Sequence, residues 1–174
     1  MEITVAAAVA ATLAALVGAT IQGSIGFGMN LVTVPVIAIV VPDALPASVV
    51  LLGVPISIAM MRHEHHAIDR RGVAWILLGR VPGTALGAWV VTTLATDSLA
   101  VVIGGLLIVA VGSSVWAPPL PVHAGSQVLA GVVSGTTGTA AGIGGPPVAL
   151  LYQHHPGPAM RSTLATSFFF GSML

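Results

Sequence analysis

Long apolar stretches separated by short polar segments are the dominant pattern of this chain. A run of about 20 apolar residues is long enough to cross a hydrocarbon core as an α-helix. The runs do not alternate between apolar and polar residues, as the strands of a membrane β-barrel would. The pattern therefore predicts helices at residues 3–22, 44–61, 72–95, 98–116 and 124–140, and from residue 160 onward.

Two segments rich in Gly, Ser and Thr interrupt this pattern. The first reads Q-G-S-I-G-F-G-M-N-L-V-T-V-P from Gln22, and the second reads G-T-T-G-T-A-A-G-I-G-G-P-P-V-A-L-L-Y from Gly135. Glycine tolerates backbone conformations that other residues avoid, and proline lacks the N–H group that a helix interior needs. We therefore predict non-helical breaks at residues 23–27 and 141–146.

The two segments also resemble each other when the sequence is compared with itself. At an offset of 116 residues, the G-x-G at 26–28 aligns with the G-x-G at 142–144, and Pro42 aligns with Pro158 without a gap. Repetition of such unusual residues at one spacing indicates an internal repeat. We predict two related repeats with broken helices, the first at residues 1–118 and the second, incomplete, at residues 119–174.

Composition identifies the solvent of these helices. Charged residues make up 6% of the chain, with five basic and five acidic side chains, whereas about a quarter of the residues of a soluble domain are charged. So little charge cannot solvate a folded surface in water, and it provides no basic field for nucleic acid. We therefore predict an all-α polytopic membrane protein of the plasma or inner membrane, with the lipid bilayer as a partner and no nucleic acid partner.

A signal peptide is the alternative interpretation of residues 1–18, which are short, apolar and rich in alanine. Such peptides carry a basic segment before the apolar run. No Lys or Arg precedes the run here, which favours a retained first helix.

Breaks in a helix at membrane depth indicate a functional site, because unpaired N–H and C=O groups are costly in lipid. Matching interruptions in two repeats are typical of a transporter's binding site. A helix that restarts at Phe27 or Pro146 presents free N–H groups and its positive dipole end to the gap, which favours an anion. No carboxylate lies in either segment. We predict that a small anion is bound by Gln22, Ser24, Gly26, Gly28, Asn30, Thr136, Thr137, Thr139, Gly142, Gly144, Gly145 and Arg80.

Arg80 is the only charge well inside an apolar run. An intramembrane arginine that faces other helices supplies positive potential to an anion path. Alternatively, Arg80 lies about 13 Å along the helix from Arg71, close enough to the membrane surface for its side chain to extend into the headgroups. The glycines also have an alternative role, because Gly131 and Gly135 have the spacing of close helix packing. Packing alone does not explain the G-G-P-P sequence at 144–147.

The H-E-H-H sequence at 63–66 contains residue types that bind metals. It lies among arginines and lacks two histidines four residues apart around a glutamate, so we expect a solvated loop, with a pH-sensitive gate as the lesser alternative. The chain has no Cys, and no arrangement of Ser, His and carboxylate recommends itself for catalysis. We expect no bound metal, no cofactor and no enzymatic activity.

The two glycine segments resemble the signature segments of the sulfite exporter TauE/SafE family of membrane transporters. Between them, R-H-E-H-H-A-I-D-R-R-G-V-A-W and G-R-V-P-G-T-A-L-G-A are similar to that family's polar loop and glycine-rich third helix. The G-I-G-G-P-P-V-A-L element carries the strongest part of the resemblance, which covers nearly the whole chain. The resemblance implies transport of sulfite, sulfonates or related small organic anions. Composition and periodicity do not indicate sulfur.

The resemblance implies two complete repeats of similar length. In this chain, a second repeat as long as the first would extend to about residue 234. We therefore expect about 60 residues of the second repeat to be missing after Leu174. The alternative to a transporter is a non-transporting membrane subunit or fragment that needs a second chain, and a channel is a lesser alternative. Expected partners are a small anionic substrate and either a completing chain or further copies of this one.

The distribution of arginines predicts the orientation of the helices. Arg62, Arg70 and Arg71 fall in one loop, which the positive-inside rule assigns to the cytoplasm, so Asp97 is expected outside. If each broken segment turns back as a hairpin, the repeats are inverted and Arg161 lies inside. If each broken segment crosses once, the repeats are parallel and Arg161 lies outside. We prefer inverted repeats.

Overall fold

The computed structural model describes residues 4–41, 44–45, 47–93, 105, 108, 112 and 120–174. These residues form helices and contain no β-strand, which confirms the predicted all-α class. The helices are α1 (Val5–Ile25), α2 (Met29–Val40), α3 (Ala47–His63), α4 (Arg70–Thr93), α5 (Ala124–Ala141), α6 (Gly145–Tyr152) and α7 (Gly157–Gly171). The predicted helix at 98–116 and the predicted position of Asp97 lie outside the described residues, apart from Gly105, Ile108 and Gly112, which are helical.

The first interruption lies later in the chain than the sequence predicts. Helix α1 continues to Ile25, and the non-helical residues are 26–28 instead of 23–27. The helix persists because the hydroxyl of Ser24 donates to the carbonyl oxygen of Thr20 at 2.8 Å, which satisfies this polar side chain within the helix. Gly26 then ends α1 in the left-handed region, with a φ of 103°.

The second interruption is shorter than the predicted 141–146. Only residues 142–144 are non-helical, and α6 begins at Gly145 with two prolines in its first turn. Proline is compatible with the first turn of a helix, because the N–H groups there have no intrahelical partner. The prolines therefore start α6 and do not extend the break.

Each interrupted segment turns back on itself. A methyl group placed on Gly18 would lie 2.9 Å from the carbonyl oxygen of Met29, although a continuous helix would separate these residues by about 16 Å. In the second segment, the amide Nε2 of Gln127 donates to the hydroxyl of Tyr152 at 2.8 Å. Helices α1 and α2 therefore form one antiparallel hairpin, and α5 and α6 form another.

Glycines allow α4 and α5 to pack with their backbones in contact. A methyl group on Gly83 would lie 2.9 Å from the Cα atom of Val132, and one on Gly135 would lie 2.8 Å from the carbonyl oxygen of Arg80. Small residues at a spacing of four allow this approach between membrane helices. Close packing is therefore the role of Gly131 and Gly135, as the alternative interpretation of their spacing predicts.

A partly buried polar cluster joins the start of α4 to its neighbours. The carboxylate of Asp69 accepts hydrogen bonds from the Gly72 backbone N–H at 2.8 Å and from the Tyr152 hydroxyl at 2.7 Å. The Asp69 backbone N–H donates to the Thr163 hydroxyl of α7 at 3.0 Å. Because α4, α6 and α7 all contribute, this cluster fixes the three helices relative to one another.

Two of the described helices, Val5–Ile25 and Arg70–Thr93, are long and apolar enough to cross a membrane. Many large apolar side chains on the helices are exposed, including Leu16, Leu78 and Trp89. Lipid is the solvent that such a surface suits.

Candidate functional site

The two glycine segments lie in contact. The side-chain amide of Asn30 donates to the carbonyl oxygen of Gly142 at 2.5 Å. A methyl group on Gly145 would lie 3.0 Å from the Cβ atom of Phe27, and one on Gly142 would lie 3.2 Å from a Val34 methyl group. Residues 112 positions apart in the sequence are thereby brought together at a partly buried contact between the two segments.

A cavity of about 330 Å³ lies beside this contact. Its walls come from both glycine segments and from α3, α4 and α7. Eight of the twelve residues that the sequence predicts for an anion site line it: Gln22, Gly28, Asn30, Arg80, Thr139, Gly142, Gly144 and Gly145. The cavity is large enough for a small organic molecule.

The other four predicted residues are not among those that line the cavity. The Ser24 hydroxyl bonds within α1, and Gly26 packs against the Cα atom of Arg161. The Thr136 hydroxyl donates to the carbonyl oxygens of Val132 and Gly83, and the Thr137 hydroxyl donates to that of Val133. In each Thr the hydroxyl is satisfied by a helix carbonyl and is not directed at the cavity.

The side chain of Arg80 lies inside the helix assembly and is only 7% exposed. Its Nη1 donates to the Ser134 hydroxyl at 3.2 Å, and its Cζ atom lies 6.0 Å from the centre of the Phe168 ring. Within the described residues, Nε has no hydrogen-bond partner and the guanidinium has no carboxylate partner. The alternative in which Arg80 extends to the membrane surface is therefore wrong, because helices α5 and α7 enclose its head group.

Two helices begin at the cavity without a side-chain cap. Helix α2 starts after Gly28 and α6 starts after Gly144, and neither N-terminus donates a backbone N–H to a capping side chain. The helix starts are thus Met29 and Gly145, and not Phe27 and Pro146 as the sequence predicts. Because the first N–H groups of a helix lack intrahelical partners, both starts offer donors and a positive dipole end.

Glycine is required for different reasons at different positions of the breaks. Gly26, Gly28 and Gly142 have positive φ angles of 103°, 112° and 71°. Gly144 has a φ of −91°, so it does not need glycine for its backbone conformation. A methyl group there would instead lie 2.8 Å from the carbonyl oxygen of Ser134, so close approach is the requirement at Gly144.

Several cavity residues escape sequence reasoning. Ser57 of α3, Thr84 of α4 and Phe168 of α7 line the cavity. Ser134 of α5 accepts a hydrogen bond from Arg80. A signal for two of them exists in the helical spacing, because Thr84 lies one turn beyond Arg80 and Ser134 lies one turn before Gly138. Ser57 and Phe168 lie in apolar stretches with no such signal.

In the histidine-rich loop at residues 63–66, as elsewhere in the described residues, no group of three His, Cys, Asp or Glu side chains is arranged to hold a metal ion. The loop instead makes an ion pair. The carboxylate of Glu64 accepts from the Arg161 Nε at 3.1 Å and from its Nη2. Arg161 of α7 therefore lies on the same side of the helix assembly as the loop between α3 and α4.

Comparison with family models identifies one that covers most of the chain. The model described as sulfite exporter TauE/SafE matches residues 10–174, a range that includes both glycine segments, Arg80 and the cavity. Comparison with curated proteins and with solved structures gave no match. The chain therefore belongs to the TauE/SafE sulfite exporter family, a family of membrane transporters of sulfur-containing anions.

Proposed function

We propose that this protein is a multi-pass transporter of the plasma or inner membrane that binds sulfite, a sulfonate or a related small organic anion between its two glycine-rich breaks. One observation carries the proposal. Arg80 is a buried cation without a carboxylate partner among the described residues, and it lines a cavity bounded by both breaks.

The energetics of Arg80 favour an anionic occupant. A buried charge without a partner costs several kcal/mol, and the Ser134 hydroxyl and the Phe168 ring offset only part of that cost. An anion in the cavity supplies the missing countercharge. An intramembrane arginine of this kind is a functional residue by default.

The two helix starts without side-chain caps also favour an anion in the cavity. Backbone N–H groups at the beginning of α2 and α6 carry partial positive charge, and no Asp or Glu is among the described residues that line the cavity. Gly28 and Gly144 have no Cβ atom that would keep an oxyanion from the backbone. In α6 the second and third residues are prolines without N–H groups, so α2 offers more backbone donors than α6 does.

The hairpins support the inverted-repeat model of residues 1–118 and 119–174. Each glycine segment joins two antiparallel helices, and the ion pair of Arg161 with Glu64 lies at the loop between α3 and α4. Arg62 at the end of α3 and Arg70 and Arg71 at the start of α4 flank that loop, so the positive-inside rule assigns it to the cytoplasm. Arg161 inside is the result expected of inverted repeats.

Anion binding to the purified protein in detergent tests the proposal. We expect Arg80→Gln to weaken binding of sulfite and of ethanesulfonate about 10- to 100-fold, because a hydrogen bond to a charged group contributes about 1.5–3 kcal/mol. Arg80→Lys keeps the charge but not the planar fork, so an intermediate loss is expected. Arg71→Gln is the matched control, because Arg71 is exposed on the same helix and does not line the cavity.

Equal affinities of the wild type and Arg80→Gln would contradict the proposed site. Transport is tested separately, by the flux of labelled sulfite into vesicles that contain this chain alone. Flux above that of protein-free vesicles supports a transporter. Anion binding without flux supports the alternative of a membrane subunit or fragment that needs a second chain.

A further inference from the structure

Ser134 connects the cation of the cavity with the start of helix α6. Its side chain is fully buried. Its hydroxyl donates to the carbonyl oxygen of Gly144 at 2.6 Å and accepts from Arg80 Nη1 at 3.2 Å. A hydroxyl has one proton and two lone pairs, so donation to Gly144 leaves the oxygen as an acceptor for the guanidinium.

We infer that Ser134 is a positioning residue for the anion: it holds the Arg80 guanidinium in a fixed orientation relative to the Gly144 break without contacting the anion itself. This inference rests on the proposed function, since it assumes that the anion binds at Arg80. It adds a residue that does not line the cavity itself but orients the arginine that does.

The surroundings of Arg80 leave the Ser134 hydrogen bond as the contact that sets its orientation. A methyl group on Gly171 would lie 2.9 Å from Nη2, and one on Gly138 would lie 3.5 Å from the same atom. These two glycines and the Phe168 ring therefore form a slot that confines the planar group. Within the slot, the guanidinium has one hydrogen bond to the described residues, and Ser134 accepts it.

The nitrogens of the Arg80 guanidinium therefore differ in their hydrogen bonds. Nη1 is held by Ser134, whereas neither Nε nor Nη2 has a hydrogen-bond partner among the described residues. Because Nε is also buried, Nη2 is the nitrogen that remains without a partner as a charge-assisted donor to an oxyanion. Without the hydrogen bond to Ser134 the guanidinium can rotate, and Nη2 is no longer held in one position.

A second fully buried serine among the described residues has a different environment and provides the control. The Ser167 side chain is also fully buried, but its hydroxyl donates to the carbonyl oxygen of Thr163, four residues earlier in its own helix. Ser167→Ala therefore makes the same chemical change at the same burial without touching Arg80.

The experiment is a double-mutant cycle measured by calorimetric titration of ethanesulfonate into the purified full chain. We expect Ser134→Ala to weaken binding about 5- to 10-fold, the loss of one hydrogen bond, while Ser167→Ala binds like the wild type. In the Arg80→Gln background, Ser134→Ala should cause less than about a twofold further loss, because the group that it positions is gone. Ser134→Cys keeps the size and a weak donor, so it should restore part of the affinity and serves if Ser134→Ala fails to fold.

The outcomes separate the inference from the proposed function. If Arg80→Gln binds as the wild type does, the proposed anion site is wrong. If Arg80→Gln loses affinity but Ser134→Ala does not, or if the two losses multiply in the double variant, Ser134 does not act through Arg80. The inference is then wrong, and the proposed function stands.

Discussion

Two glycines that line the same cavity are expected to respond oppositely to alanine: Gly28→Ala should lower the free energy of unfolding, and Gly138→Ala should raise it. Gly28 immediately precedes α2 and has a φ of 112°, a conformation that L-residues rarely adopt. Gly138 lies in the interior of α5, where glycine is not required by a positive φ. Both residues line the cavity, so the same substitution is tested in the same surroundings.

The magnitudes follow from the local geometry. At Gly28 the new methyl group would lie 3.0 Å from a methyl group of Ile21, which is the end of a side chain and can move. The main cost is the left-handed backbone, about 1–2 kcal/mol for a residue with a Cβ atom. At Gly138 the nearest atoms lie at 3.5 Å, an ordinary contact, and replacing glycine within a helix stabilises it by roughly 0.5–1 kcal/mol.

The assay is unfolding of each purified variant by sodium dodecyl sulfate in mixed micelles, followed by circular dichroism. We expect Gly138→Ala to exceed Gly28→Ala in free energy of unfolding by about 1.5–3 kcal/mol, with the wild type between them. If Gly28→Ala is as stable as Gly138→Ala, the residue before α2 does not have the left-handed conformation, and the account of the first break fails.

Three further outcomes are expected. Asn30→Ala should weaken ethanesulfonate binding several-fold, because it removes the amide that links the two glycine segments. Thr137→Ala should bind like the wild type, because the Thr137 hydroxyl bonds within α5. Calorimetric titration of both variants checks this contrast. Tyr152→Phe should lower the free energy of unfolding by about 1–3 kcal/mol, because it removes a buried hydroxyl that bridges a carboxylate and an amide; detergent unfolding measures it. His66→Cys and His154→Cys should both react with an impermeant maleimide only after cell lysis, and labelling of either in intact cells would reverse the predicted orientation.

Much of the fold follows from the apolar pattern, since helices without charge have few alternatives in lipid. The glycine and proline residues place the two interruptions to within about three residues. The boundary error at the first break has a physical cause. A serine such as Ser24 can satisfy its hydroxyl with a carbonyl of its own helix, so its presence in an apolar run does not require the helix to end.

The site is less predictable, because it depends on which face of each helix meets the cavity. Thr136 and Thr139 stand three residues apart in the same segment, yet Thr136 bonds to α4 and only Thr139 lines the cavity. The role of Ser134 depends on how closely α4 and α5 pack. Contacts of their glycines determine this packing, and a single sequence does not specify it. The two-repeat organisation and the anion itself stay predictions.

The position of a bound anion tests the central claim most directly. A structure of the protein soaked with 2-bromoethanesulfonate would locate the bromine by its anomalous signal and the sulfonate by its density. The account predicts sulfonate oxygens within about 3 Å of the Arg80 guanidinium, in the cavity between Gly28 and Gly144. Bromine bound elsewhere, for example at the exposed arginines beside the histidine-rich loop, with the cavity empty, would contradict it.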